Sequence, residues 1–143
     1  MKTIERSIDI QAPKEKVWEV LFLDKYNREW YKAFHEDAHA VTDWQLNSKV
    51  VFADNDGNGL VGKIVQKVLY KALVIEYSAE LINGKEITEN MEGGAEKYFL
   101  SEKGNYTHLD VSASGNMPDE FVDMMSKSWD IAIMKIKELA ETN

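Results

Sequence analysis

The sequence contains no cysteine and only two prolines among its 143 residues. Without cysteine the chain forms no disulfide and has no thiolate chemistry, which leaves its redox compartment open. No stretch approaches the roughly 18 apolar residues that a membrane span needs. The opening segment MKTIERSIDI alternates and is charged, unlike the apolar segment of a signal peptide. These absences predict a cytoplasmic protein without membrane insertion.

Positive charge is also scarce. The chain has 17 Lys and Arg against 25 Asp and Glu, for a formal net charge of −8. Nucleic acid and anionic membrane surfaces both need a basic face, so neither is an expected partner. By contrast, 44% of the residues are hydrophobic, which is enough for one sizeable core. The length is that of a single domain, expected to span residues 1–143.

The two ends of the chain show different periodicities. Residues 3–10 alternate with period two and predict a half-buried strand. APKEKVWEVL and KYNREWYKAF then predict two short helices, and residues 118–140 predict one long helix that begins at Pro118. At 100° per residue, this last helix carries one broad apolar stripe. The stripe contains Phe121, Met124, Met125, Trp129, Ala132, Ile136, Leu139 and Ala140.

The sequence pattern of residues 38–114 predicts mainly β-strands. The Asp-, Asn- and Gly-rich DNDGNG segment predicts a hairpin turn, and residues 83–94 predict a long polar loop. In the strand after the hairpin turn, Ile64, Gln66 and Val68 are expected to point inward. One antiparallel sheet of six or seven strands is expected, with one face exposed to solvent. Its other, apolar face must pack against another element, and only the last helix is long enough and apolar enough for this. The expected class is α+β.

Several segments also resemble a known family. Residues 10–18, IQAPKEKVW, are similar to the APxExVW opening of the helix-grip superfamily, called START-like or SRPBCC. GNYTHLDVSASG resembles its penultimate strand, and Ser128-Trp129 with the apolar residues that follow resembles its final helix, although Ser128 replaces the usual Gly. The resemblance covers the whole chain and is nearest to the branch named for the activator of heat-shock-protein-90 ATPase homologue.

The resemblance implies a helix-grip fold, in which a curved antiparallel sheet of six to seven strands wraps around a long C-terminal helix and two short helices follow the first strand. It also implies a cavity between sheet and helix, where members of the superfamily bind lipids, sterols, polyketides or other hydrophobic small molecules. Some members are cyclases or aromatases, and the eukaryotic namesake carries the domain as part of a co-chaperone. Dimers are common in the superfamily.

The expected function is binding of a hydrophobic or aromatic small molecule, without catalysis and without a cofactor. The predicted ligand-binding residues are Trp30, Tyr31, Phe34, Phe52, Gln66, Tyr77, Tyr98, Met125 and Trp129. The alternative is that the rings simply fill the core. Gln66 is the candidate for a polar contact inside the cavity, since a buried amide must be hydrogen-bonded.

Two other functions stay open. A co-chaperone-like interaction module would act through its surface, with a chaperone or a second copy of the chain as partner. A cyclase- or hydrolase-like enzyme would need a buried titratable group facing the cavity, and His35, His39 and Asp43 are the residues to inspect. The carboxylates are expected to alternate outward on the strands, so none is predicted to be kept neutral for acid–base work.

Residues 35–39 spell HEDAH, the H-E-x-x-H pattern of a zinc metallopeptidase. That pattern binds zinc only on a helix, because in a strand the two histidines would lie about 13 Å apart. The resemblance favours a chain that leaves the helix near Phe34, so no metal site is predicted. Arg6 falls on the apolar side of the first strand, where a salt bridge at the sheet edge is expected.

Overall fold

The computed structural model describes residues 1–142, which form one curved antiparallel sheet and three α-helices. The strands are β1 (Lys2–Ile10), β2 (His39–Val41), β3 (Lys49–Ala53), β4 (Gly59–Val68), β5 (Ala72–Ile82), β6 (Lys85–Ile87), β7 (Ala95–Lys103) and β8 (Tyr106–Gly115). The helices are α1 (Lys14–Phe22), α2 (Asp24–Tyr31) and α3 (Asp119–Glu141). None of these helices has the length and apolar character needed to cross a bilayer.

The strand order is β1-β8-β7-β5-β4-β3-β2, with β6 paired to β5 beside this path. The seven strands of the path, the two short helices after β1 and the long last helix confirm the predicted helix-grip fold class. Strand β6 has only three residues and lies in the segment that the sequence predicts to be a loop. Two of its three side chains, Lys85 and Glu86, are charged and exposed, and three residues are too few for periodicity to give a signal.

Helix α3 runs alongside β1 in the same direction. Lys2 pairs with Asp119 near the start of both elements, and the Gln11 backbone N–H donates to Glu141 at their ends. Midway, the Arg6 guanidinium forms an ion pair of 2.6 Å with Asp130. This pair confirms the salt bridge expected for Arg6.

The two halves of α3 are buried unequally. The C-terminal half contributes Ala132, Ile136 and Ala140 to a core that also contains residues of α1, β1 and β8. In the N-terminal half, Phe121 is 38% exposed and Met124 is 55% exposed. We call the side chains around Ala132, Ile136 and Ala140 the packed half of the interior, and those beneath residues 121–129 the open half.

Strand β4 departs twice from regular pairing, between Val61 and Gly62 and between Ile64 and Gln66. A Cβ atom on Gly62 would lie 2.6 Å from Ile75 Cγ2 and 2.8 Å from the Glu76 carbonyl oxygen, so only glycine fits there. At such an irregularity one strand of the pair contains an extra residue, which bends the strand and increases its local twist. The two irregularities therefore contribute to the curvature of the sheet around α3.

The second irregularity overturns one prediction. Ile64 is buried as expected, but Gln66 and Val68 are exposed. The pairing partner changes from Ile75 for Ile64 to the adjacent Val74 for Gln66, so one extra residue interrupts the alternation. Because side chains alternate with period two, such an insertion moves the following residues to the other face. Gln66 is therefore not a cavity residue.

Candidate functional site

A cavity of about 470 Å³ lies between the concave face of the sheet and the N-terminal half of α3. This volume is within the range of pockets that hold small organic molecules. Eight of the nine predicted ligand-binding residues line it: Trp30, Tyr31, Phe34, Phe52, Tyr77, Tyr98, Met125 and Trp129. The ninth, Gln66, does not. Whether the eight contact a ligand stays a prediction.

Trp129 is the centre of the aromatic wall. Its ring centroid lies 5.0 Å from that of Phe34, 5.9 Å from that of Trp30 and 6.4 Å from that of Tyr98. Edge-to-face and tilted contacts at such distances favour fixed ring positions. The indole N–H of Trp30 is held by the Val20 carbonyl oxygen at 2.9 Å. The rings of this wall therefore pack against one another.

The indole N–H of Trp129 differs from that of Trp30. It is buried and has no hydrogen-bond partner within residues 1–142. Buried donors without partners are uncommon in a completed core, because leaving one unpaired costs free energy. The unpaired donor lies on the residue where the packed half of the interior meets the cavity.

A buried carboxyl group also lines the cavity. Glu96 is only 9% exposed, and it accepts a hydrogen bond of 2.5 Å from the Tyr77 hydroxyl on Oε1. The Tyr98 hydroxyl donates to Oε2. The register of the sheet brings these three side chains together. Glu96 on β7 lies opposite Ile75 on β5. Tyr77 is two residues beyond Ile75 on β5, and Tyr98 is two residues beyond Glu96 on β7. All three side chains consequently point to the concave face.

Burial dominates the electrostatics of this group. Desolvation raises the pKa of Glu96 above its ordinary value, although the two tyrosine hydrogen bonds act to lower it. The pKa values of Tyr77 and Tyr98 are raised well above their ordinary value by burial and by the negative charge of Glu96. Tyr31, also on the cavity wall, has its pKa raised by the same two causes. The tyrosines are therefore neutral donors at physiological pH.

The prediction that the carboxylates all alternate outward is wrong for Glu96. The signal that locates it is the spacing Glu96, Tyr98, Leu100, in which an acid shares one face of a strand with two core residues. That pattern contradicts the usual cost of burying a carboxylate. The sequence does not reveal that the hydroxyls of two tyrosines on the same face of the sheet donate hydrogen bonds to this carboxyl group.

The HEDAH segment lacks the helical conformation that the zinc pattern requires. Helix α2 ends at Tyr31, and His39 already belongs to β2. His35 Nδ1 lies 2.5 Å from Asp37 Oδ1, while His39 Nδ1 lies 3.1 Å from the Asp37 carbonyl oxygen. The only other histidine, His108, is bound to Asp9 and Asp110 on the outer face of β1 and β8. Within residues 1–142 no three potential ligands cluster around a common point.

Of the residues to inspect for catalysis, His35 and His39 line the cavity, and Asp43 does not. The Asp43 carboxylate instead accepts a hydrogen bond of 3.0 Å from the backbone N–H of Gln45, in a turn before β3. The buried titratable group that an enzyme would need is present, but it is Glu96 rather than any of these three.

No protein-family model matches the chain, and no curated protein matches its sequence. Solved structures do match. The solution structure of the Aha1 dimer from Colwellia psychrerythraea has a TM-score of 0.75 and 19% identity, covering 99% of this chain and 98% of that one. Protein MLL2253 from Mesorhizobium loti has a TM-score of 0.74 and 17% identity, covering 96% of both chains.

DynU16, from the dynemicin biosynthetic locus, has a TM-score of 0.74 and 15% identity, covering 99% of this chain and 48% of the other. The TM-scores establish a common fold despite the low identities. A common fold does not fix a function. The chain thus has the helix-grip fold that the resemblance implied.

Proposed function

We propose that the protein binds a hydrophobic or aromatic small molecule in the cavity between the sheet and α3. The observation that carries this proposal is a cavity of about 470 Å³ whose wall is mainly aromatic and apolar, with a few convergent polar groups. That combination is typical of a small-molecule site. A core that merely contained many rings would close on itself, since protein interiors pack as densely as organic crystals.

The energetics favour an apolar ligand. Each 100 Å² of apolar surface removed from water contributes about 2.5 kcal/mol before the costs of association. Trp129 and Phe34 provide a fixed surface for a flat ligand, and the flexible Met125 can adjust to its outline. DynU16, which belongs to the dynemicin biosynthetic locus, shares the fold and supports by analogy a role with small organic molecules.

The direct test is titration with the neutral fluorescent probe N-phenylnaphthylamine, preceded by native mass spectrometry of the purified protein for a co-purified organic mass. Ala113→Phe on β8 adds a ring to the cavity wall and should abolish probe binding. The matched control is Ser112→Phe, which places the same ring one residue away on the outer face of β8. It should bind the probe like the parent protein.

Two results would overturn this function. One is probe binding that Ala113→Phe leaves unchanged, which would place the apolar site elsewhere. The other is the absence of both a co-purified mass and probe binding by a protein whose circular dichroism shows it to be folded.

Glu96 supports a second candidate, an enzyme that works in the same cavity. A buried carboxyl with a raised pKa and two hydroxyl donors is suited to proton transfer. Glu96→Gln keeps the shape of the side chain and removes the proton. If the protein is an enzyme, the variant should accumulate a bound molecule of different mass from that carried by the parent protein, and identical masses would count against catalysis.

Self-association is the third candidate. Ile131 and Met134 are exposed on α3 away from the cavity, and the Aha1 structure from Colwellia psychrerythraea is of a dimer. Exposed apolar side chains on one helix face are a frequent feature of contact surfaces. Light scattering should then give a dimer mass for the parent protein and a monomer mass for Ile131→Glu. A monomer mass for both would dismiss this candidate.

A further inference from the structure

We infer that the cavity selects apolar molecules that carry a protonated amine, and that the ammonium group donates hydrogen bonds to the Glu96 carboxylate. The inference rests on the proposed binding function and adds to it the chemical class of the ligand. Its starting point is a charge without a partner. Glu96 takes part in none of the ion pairs formed within residues 1–142.

The carboxylate of Glu96 has unused acceptor capacity. An ionised carboxylate offers about four lone-pair positions, and the two tyrosine hydroxyls occupy one on each oxygen. The hydroxyls fix the orientation of the carboxylate but carry no positive charge that would balance it. A buried carboxylate of this kind is stabilised most by a cation that also donates hydrogen bonds.

The other charges of the cavity wall have the same sign. Its carboxyl residues are Asp54, Glu80 and Glu96, its histidines are His35 and His39, and neither lysine nor arginine belongs to the wall. The Asp54 carboxylate accepts hydrogen bonds from two backbone N–H groups of its own loop and lies 3.8 Å from His35 Nε2, so it is less available to a ligand. A ligand carboxylate or phosphate would meet these carboxylates and neither a lysine nor an arginine.

The aromatic wall adds to this preference. Cations are attracted to the faces of Trp and Tyr rings, by about 0.5–2 kcal/mol for each contact. Tyr77 and Tyr98 hold Glu96, and Trp129 lies beside Tyr98. An ammonium group at the carboxylate is therefore close to aromatic rings, while the apolar part of the same molecule contacts the remaining wall.

Binding should be coupled to a proton. The titratable groups that face Glu96 are Tyr77 from β5, Tyr98 from its own strand and Tyr31 from α2, and the cavity residues of β8 and α3 include none. Burial favours the protonated form of Glu96, whereas a bound ammonium favours the ionised form. Amine binding then releases a proton at pH values below the pKa of Glu96 in the free protein, and affinity rises with pH through that range.

The experiment compares three probes with one ring system by isothermal titration calorimetry: naphthylmethylamine, naphthylmethanol and naphthoate. The expected order is amine, then alcohol, then acid, with the amine at least about tenfold tighter than the alcohol. Glu96→Gln should remove the advantage of the amine and leave the affinity for the alcohol within about threefold. The matched control is Glu80→Gln, a second cavity carboxyl that is exposed, which should keep the order unchanged.

Each other outcome is decisive. If the three probes bind equally, or if Glu96→Gln retains the preference for the amine, the inference is overturned and the binding function stands. If none of the three binds and N-phenylnaphthylamine also fails to bind, the binding function itself fails. Should Glu96→Gln not fold, calorimetry of the parent protein in two buffers of different ionisation enthalpy decides, because amine binding at pH values below the pKa of Glu96 must release a proton and alcohol binding must not.

Discussion

The packed half and the open half of the interior lie under the same helix and both contain apolar side chains, yet only one of them is filled. In the packed half, Ile136 and Ala132 of α3 are fully buried against a core shared with α1, β1 and β8. In the open half, Phe121 and Met124 stay largely exposed, and the cavity lies beneath them. Both halves of the helix carry apolar side chains on the inner face, but different elements of the fold face them.

This comparison shows why an apolar stripe does not by itself reveal a binding site. The stripe predicted for α3 runs without a break from Phe121 to Ala140. A hydrophobic pattern reports which face turns away from water. It does not report how far away the opposite surface lies. Four experiments test the distinction between the two halves, and the expected effects decrease from the first to the last.

The largest effect is expected from a truncation in the packed half. Ile136→Ala should reduce the free energy of unfolding by about 2–5 kcal/mol, because it leaves a void in a close-packed region. Met125→Ala in the open half should cost less than about 1.5 kcal/mol, since its side chain already borders a cavity. Urea denaturation of both variants measures the difference. Equal losses would mean that the two halves are packed alike.

The next effect concerns the acid of the open half. Because burial raises the pKa of Glu96 in the folded protein above its ordinary 4.5, folding favours the protonated form. The resulting stabilisation is complete below 4.5 and is lost as pH rises through the elevated pKa. Glu96→Gln does not titrate, so the parent protein should lose stability relative to this variant across that window. A constant difference in unfolding free energy from about pH 4 to pH 8 would contradict the raised pKa.

A smaller effect is expected where β1 holds α3 from outside the cavity. Arg6 is 28% exposed, and it contacts both Asp130 and the Ser126 carbonyl oxygen. Arg6→Gln should therefore lower the unfolding free energy by about 0.5–1.5 kcal/mol. The control is Lys2→Gln, whose exposed pair with Asp119 should contribute almost nothing. Equal effects of the two substitutions in chemical denaturation would show that Arg6 contributes no more than an exposed pair.

The smallest effect belongs to the outer face of the sheet. Asp9 and Asp110 raise the pKa of His108 above its ordinary 6.5. The stabilisation is present below 6.5 and disappears as pH rises through the raised value. His108→Asn should remove this gain, worth less than about 1 kcal/mol, and leave probe binding unchanged. Thermal unfolding at several pH values measures the gain, and a change in probe affinity would show that the outer face and the cavity are linked.

The sequence predicts the parts of the fold that depend on local pattern. The bounds of α3 differ from the predicted 118–140 by one residue at each end. At the start, Pro118 adopts an extended conformation just before the helix instead of opening it. Eight cavity residues are identified since each is a large ring or a methionine on an inward face. Gln66 is misplaced because a bulge has no signature in composition. Glu96 is missed because one of the hydrogen bonds that stabilise its buried carboxyl comes from Tyr77, which is 19 residues away in the chain.

The bend of β4 has a consequence for how such a protein changes over evolutionary time. Gly62 fits only because it has no side chain, and it faces Ile75 across the sheet rather than the cavity. A substitution there, or the loss of the extra residue beside it, would alter how tightly the sheet curls and so the capacity of the chamber. Ligand size could then drift between relatives whose cavity walls are identical, so specificity cannot be assigned by comparing wall residues alone.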